Sequence, residues 1–308
     1  MALEADWLVD RRRLKRRLFF WRTLAILVAV GLVAAAVGRL GGYGAGGLVE
    51  TAYISRLNVQ DIIYDDAKRR RAVEDLAKDP EAKALIVHID SPGGTVVGGE
   101  ALYTALRKVA AKMPVVAVMG DLATSAGYMI AIASDHIVAR EGTITGSIGV
   151  LLQTAEFTDL LQKLGVSVDA IKSAPLKASP SPFEKLTPQV RRATQSLVDD
   201  MFQMFMGMVA ERRHMTMDQV KTLADGRVYT GRMALRNGLI DEIGGESEAL
   251  AWLAKARGVN AKLPVRPLKP RREVEELLDY VNTLARKTTM VERLTLDGLV
   301  SLWHPQLQ

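Results

Sequence analysis

Cysteine is absent from this chain of 308 residues. That excludes disulfides, thiolate-ligated metals and a thiol nucleophile. It leaves the compartment open, because many exported proteins lack disulfides. Histidine is scarce, at positions 88, 136, 214 and 304. His88 and His136 are embedded in apolar runs, His214 ends a basic helical segment and His304 lies in the tail. None is placed in sequence like the base of a Ser-His pair, although a fold can bring distant residues together. The body also lacks net charge. Residues 23–261 hold 26 Lys/Arg and 26 Asp/Glu, so the surplus of +6 comes from the two ends. The sequence pI near 9.5 therefore gives no indication of a nucleic-acid-binding body. No internal repeat is evident.

What is present begins with a basic block followed by an apolar run, RRRLKRRLFFWRTLAILVAVGLVAAAVGRLGG. The run from Leu18 to about Val37 is interrupted only by Arg22, near its start. About twenty helical residues at 1.5 Å each cover the roughly 30 Å hydrocarbon core of a bilayer. The expectation is one transmembrane helix with a cytoplasmic N-terminus, set by the preceding cations. A cleaved signal peptide, with Ala34 and Ala36 before the cut, is the rival reading. The run is long for a signal sequence, which favours the uncleaved anchor.

GGYGAGG (41–47) reads as a linker. Beyond it, strand-like and helix-like patterns alternate. Strands are expected at 48–59, 84–90, 114–120, 136–139 and 166–171. Helices are expected at 66–78, 98–112, 125–134, 157–165 and over a long stretch opened by Thr187 and Pro188. Strands separated by helices of this length imply βαβ units, an α/β fold and a parallel sheet. Three domains are expected: residues 1–47 for the basic tail, anchor and linker, 48–258 for the main domain and 259–308 for an amphipathic extension.

Ligands of such sheets bind beyond the carboxyl ends of the strands. Two motifs fall there. SPGG (91–94) closes one strand, and its glycines can present backbone N–H groups to an oxyanion. It reads equally as an ordinary turn. Ser125 lies on the next strand-to-helix turn, followed by Ala126 and Gly127. A nucleophile placed there is exposed at the sheet edge near a helix N-terminus. The same position suits a plain N-cap serine.

A serine without histidine can use a lysine. The candidates after Ser125 are Lys163, Lys172, Lys177 and Lys185. Lys177 stands out because SAPLKASPSPF surrounds it with small and apolar residues. An ordinary lysine, near 10.4, is almost never neutral at pH 7. Bringing one near 7.5 takes about 4 kcal/mol, which burial without a carboxylate partner supplies. GTITGSIGV (142–150) adds Ser147, either a residue that orients such an amine or a solvated hydroxyl on a Gly-rich turn.

Taken together, HIDSPGG, MGDLATSAGYMIAIASDHIVA, GTITGSIGV, LKASPSPFEKLTP and DGRVYTGRMALRNGLIDEIGG resemble the bacterial signal peptide peptidase A family. The resemblance runs in order over roughly residues 48–258 and matches the short, single-copy form. It implies a Clp-protease/crotonase-like fold and a membrane-anchored serine endopeptidase that degrades cleaved signal peptides and other hydrophobic peptides. It implies Ser125 as nucleophile, Lys177 as general base, Ser147 as the residue bonded to that lysine, and Gly94 and Ala126 as the oxyanion hole. It further implies no cofactor or metal, a ring-like homo-oligomer and a catalytic domain on the extracytoplasmic side of the bacterial inner membrane. No nucleic-acid partner is expected. The family often carries Ser-Gly-Gly near the nucleophile, whereas this chain has Thr124-Ser125-Ala126-Gly127. Alanine still donates its N–H, so the chemistry survives in a narrower pocket. Two other readings share the fold: an acyl-CoA enzyme of crotonase type, which needs neither Ser125 nor an anchor, and an inactive membrane scaffold.

Overall fold

A computed structural model describes residues 17–29, 31 and 52–268. The chain divides into two units, Glu50–Pro270 and the remainder, each described by itself. The first helix, α1, covers residues 17–29 and 31 and belongs to the remainder. Among the described residues no helix is long and apolar enough to cross a membrane. The span expected from Leu18 to about Val37 runs on into residues outside those described, as do Ala34, Ala36, the glycine-rich linker, His304 and the amphipathic tail.

The larger unit opens with β1 (Tyr53–Ile63), α2 (Ala67–Leu76), β2 (Ala82–Gly94), α3 (Val96–Ala110), β3 (Val115–Thr124), α4 (Ala126–Ala131) and β4 (His136–Ala139). It continues through β5 (Ile144–Gly146), α5 (Thr158–Lys163), α6 (Pro188–Arg213), α7 (Met217–Leu223), β6 (Val228–Thr230), α8 (Gly231–Arg236), β7 (Glu242–Ile243), α9 (Glu246–Arg257) and β8 (Val265–Pro267). The strands form one sheet in the order β6-β5-β3-β2-β1-β8, with β4 beside β3 and β7 beside β4. Strand β3 is shared along its length. Val116–Met119 pair with β4 and Leu122–Thr124 pair with β5.

Strand β2 shows why the sheet lies between two helical layers. Leu85, Val87 and Ile89 face a core built with Leu102, Leu106 and Val109 of α3. The alternate residues Ala84 and Ile86 face a second core with Ala249 and Leu253 of α9. A strand apolar on both faces reads as an unbroken hydrophobic run, which is the pattern of a central parallel strand.

The structure corrects the expectation of a parallel sheet. All other pairings are parallel, but β5 and β6 run antiparallel, with Ile144 opposite Thr230 and Gly146 opposite Val228, so the sheet is mixed. The residues between β5 and β6 pack Phe205, Met206 and Val209 of α6 into the core on the α3 side of the sheet, yet bring the chain back antiparallel to β5. They form an excursion through α5 and α6 and return along the same edge. Residues 166–171, expected as a strand, are irregular. Val166, Val168 and Ile171 are exposed there and have no ladder partner among the described residues. Conversely, β8 carries the folded unit past residue 258. It pairs with Ile54–Arg56 of β1.

Two irregularities gather at the carboxyl ends of the central strands. Between the pairs Ile89–Met119 and Ser91–Ala123, β3 advances four residues while β2 advances two. The Asp90 carboxylate accepts the Leu122 N–H at 3.2 Å across this bulge. Between Gln60–Asp90 and Ile62–Gly93, β2 gains one residue on β1, and Asp61 takes a positive φ of 57°. Bulges of this kind bend strands and re-aim the residues just beyond them. Here those residues are SPGG on one strand and Ser125 on the other.

Candidate active site

Ser125 occupies the single residue between β3 and α4, with φ 54° and ψ −119°. That backbone region is costly for a residue with a side chain, by about 1–3 kcal/mol, and persists only where the surroundings enforce it. Its N–H donates to the Gly146 carbonyl at 2.9 Å, tying the turn to β5. Its carbonyl accepts the Met129 N–H and begins α4. The N-cap alternative fails. Thr95, Thr187, Thr216 and Thr230 cap their helices with side-chain oxygens, whereas Ser125 makes no side-chain cap bond. Its partly exposed hydroxyl is left free for other work.

The two glycines of SPGG are required for separate reasons. A Cβ on Gly93, whose φ is 109°, would lie 2.8 Å from Ser125 Cβ and 3.2 Å from the Ala126 nitrogen. Any side chain there would cover the serine. A Cβ on Gly94 would lie 1.9 Å from the Ile63 carbonyl oxygen, so β1 and β2 close only over glycine. The parallel ladder also sorts the amides. Thr95 N–H donates to the Ile63 carbonyl at 2.8 Å, and Gly93 N–H donates to Ser91 Oγ at 3.1 Å. Gly94 is the residue paired with Ile63, so its own N–H points away from β1. Ala126 is the first residue of α4, and its N–H has no acceptor within that helix.

Ser147 follows Gly146, the residue that accepts from Ser125. It too has a positive φ, 50°, and its N–H donates to the Arg227 carbonyl at 2.8 Å. Ser125, Ala126, the SPGG turn and Ser147 are thus brought together. Lys177 is not joined to them: it is exposed on a turn, and no described residue bonds its ammonium or the Ser125 hydroxyl. Of the other lysine candidates, Lys172 is paired with Glu184 at 2.5 Å and Lys185 lies 3.3 Å from Asp159, so each already has a carboxylate partner.

The described histidines have other occupations. His136 lies 3.0 Å from Glu242 and stacks on Trp252 at 4.7 Å between ring centres, bracing β4 against β7 and α9. His214 terminates α6 in a left-handed conformation. Burial, helped by the Arg56 guanidinium, lowers the pKa of His88, and its Nδ1 is buried without a partner. The sequence reading missed Gly93, Ser91 and Thr124. Their signal was available in the motifs SPGG and ATSAG, which were read only for the nucleophile and the two oxyanion donors Gly94 and Ala126.

The mixed sheet and a serine on a strained strand-to-helix turn define an α/β protein with a candidate serine site, and the Clp protease family model matches residues 66–142. The model of peptidase family S49 matches residues 107–260, and the chain belongs to that family. It is 42% identical over 210 residues to a protein of Synechocystis sp. named as a protease, spanning 67% of this chain and 75% of that one. It is 36% identical over 183 residues to a protein of Enterococcus faecium named signal peptide peptidase, spanning 59% of this chain and 53% of that one. The resemblance to the signal peptide peptidase A family thus holds. Among solved structures, a membrane-bound stomatin-specific protease aligns with a TM-score of 0.46 at 16% identity, covering 71% of this chain and 99% of that one.

Proposed function

We propose that this protein is a serine endopeptidase that cleaves hydrophobic peptides, among them signal peptides already released from preproteins. The observation that carries the reading is the Ser125 turn: a hydroxyl unused as a cap, held at positive φ, with the Gly93 α-carbon facing it where a side chain would block a substrate.

In this mechanism a neutral Lys177 amine takes the Ser125 proton as Oγ bonds to the peptide carbonyl carbon. Gly94 and Ala126 N–H groups stabilise the oxyanion. The ammonium then protonates the leaving amine as the C–N bond breaks. Water, deprotonated by the same amine, releases the acyl group. Lys177 is exposed and has no partner among the described residues, which supports the reading that a second copy supplies it. Ser147 of the acceptor copy orients the incoming amine.

The excursion that carries Lys177 supports such an assembly. Leu151, Leu160, Leu164, Val168 and Ile171 are all exposed along it. Packing them on a neighbour hides apolar surface and desolvates the amine in the same event. The apolar run from Leu18 to about Val37 in the sequence, preceded by cations, is the proposed anchor to the bacterial cytoplasmic membrane, with the N-terminus inside and the catalytic domain outside.

A serine-directed acylating probe, followed by peptide mapping, tests the reading. Label is expected on Ser125, and Ser125→Ala is expected to lose both label and peptide cleavage. Label on a different serine, with Ser125 untouched, overturns it.

A further inference from the structure

Two buried hydroxyls outside the Ser–Lys pair grip the SPGG turn from opposite sides. Ser91 is fully buried. Its Oγ donates to the Asp61 carbonyl at 2.5 Å and accepts the Gly93 N–H at 3.1 Å. Thr124, 5% exposed, donates from Oγ1 to the Pro92 carbonyl at 3.0 Å. One clasp therefore comes from β2 itself and reaches the bulge of β1. The other comes from β3 and belongs to the residue immediately before Ser125.

We propose that Ser91 and Thr124 are positioning residues that select Gly94 as the amide facing the oxyanion and fix its distance from Ser125. The proposal rests on the serine endopeptidase reading and deepens it.

The physical argument concerns peptide orientation. The chain Pro92–Gly93–Gly94 has two glycines and little intrinsic preference for any backbone conformation. Left alone, the Gly93 and Gly94 peptide planes rotate readily. Ser91 accepts the Gly93 N–H and so removes it from competition for the oxyanion. Thr124 holds the Pro92 carbonyl, which shares the Pro92–Gly93 peptide plane with that N–H. Both handles of one peptide plane are thereby fixed, and the next amide in the ladder is aimed by default. Because Thr124 and Ser125 are adjacent, the clasp also ties the donor strand directly to the nucleophile. Asp61 completes the arrangement: its carbonyl meets Ser91 from the positive-φ residue at the bulge of β1.

A displacement of about 1 Å in a catalytic constellation costs up to about a hundredfold in rate. The donors act on the transition state, so the loss falls on kcat rather than on substrate binding.

The test uses the full chain with Ser91→Ala, Thr124→Val and Thr124→Ser, assayed on an apolar peptide, with Ser125→Ala as the control for the reading itself. Ser91→Ala and Thr124→Val are expected to lower kcat about 10- to 100-fold with KM within about threefold. Thr124→Ser, which keeps the hydroxyl, is expected to recover most of the loss. A peptide aldehyde, which forms an oxyanion on the enzyme, is expected to weaken in parallel with kcat/KM, while a product peptide binds unchanged. Thermal unfolding reports whether Ser91→Ala folds. If it does not, the near-isosteric Thr124 pair decides the matter.

Wild-type kcat in both hydroxyl-deleting variants, with Ser125→Ala inactive, overturns the clasp and leaves the peptidase reading standing. A rise in KM alone, or no rescue by Thr124→Ser, also overturns it. Full activity in Ser125→Ala overturns the peptidase reading and the clasp together.

Discussion

At the scale of single residues, the site stores strain at Ser125. Ser125 sits at φ 54° and ψ −119°, a region that glycine enters freely and other residues do not. This makes a stability prediction opposite to the usual order. Alanine normally outranks glycine through the entropy of the unfolded chain. Here Ser125→Gly is expected to be more stable than Ser125→Ala by about 1 kcal/mol, because glycine relieves the strain that alanine keeps. Both variants lack the hydroxyl, so a difference in Tm isolates the backbone. Equal or reversed Tm values would mean that the turn is unstrained. The position of Ser125 was legible from a short β-branched run ending in small residues. Its backbone angles were not, since they are imposed by Gly146 and by the approach of Gly93.

A second residue-scale prediction concerns His88. Burial and then Arg56 lower its pKa from 6.5, against the weaker pull of Glu246 and Asp90. The unfolded chain therefore binds the proton more readily than the folded one. Stability from this group is fully present above about pH 6.5 and is lost as pH falls from there through the folded value. His88→Gln is expected to flatten the Tm profile between about pH 7.5 and 5.5, whatever its effect on absolute Tm. An unchanged slope would assign the acid sensitivity elsewhere.

At the scale of elements, legibility tracked the range of the forces involved. β4 was read at its observed bounds, and α6 was read from its Thr187 cap and Pro188, because both are set by local pattern. α7 carries a full Thr216–Gln219 capping box and was legible, yet the sequence reading assigned no element to residues 215–225. The strand expected at 166–171 failed for a physical reason. A β-branched run becomes a strand only when a neighbour offers a ladder, and none of the described strands does so there. β8 was missed for the reverse reason. VRP is a poor strand sequence, with a proline that suits only an edge, but the open edge of β1 recruits it. Ile54 N–H donates to the Pro264 carbonyl and Leu268 N–H to the Arg56 carbonyl. A chain ending at residue 258 leaves that edge of β1 bare, and bare edges aggregate. Compared with a chain ending at residue 270, it is expected to unfold at lower temperature and to sediment as aggregates. Indistinguishable behaviour of the two would show that β8 contributes nothing.

At the scale of the whole molecule, the two halves of the proposed dyad belong to different structural regimes. Ser125 is embedded in a finished core, flanked by buried Ala123, Thr124, Ala126 and Tyr128. Lys177 is exposed on an excursion whose apolar side chains face solvent in the single chain. One chain thus completes the surroundings of the proposed nucleophile and leaves those of the proposed base unfinished. This is the arrangement expected when each active site is shared across a head-to-tail interface, the kind that generates a ring where its rotation closes. The sequence carried both residues equally well, but it carries no term for a neighbouring copy. Subunit mixing measures that term. Ser125→Ala and Lys177→Ala are each expected to be inactive alone. Co-assembled in equal amounts, they place an intact serine opposite an intact lysine at about one quarter of interfaces, so about a quarter of wild-type activity returns. The recovered activity must scale with the product of the two fractions, rising from zero at either end to a maximum at equal mixing. A dyad formed within one chain gives no recovery at any ratio, because every chain in the mixture lacks one of its two members.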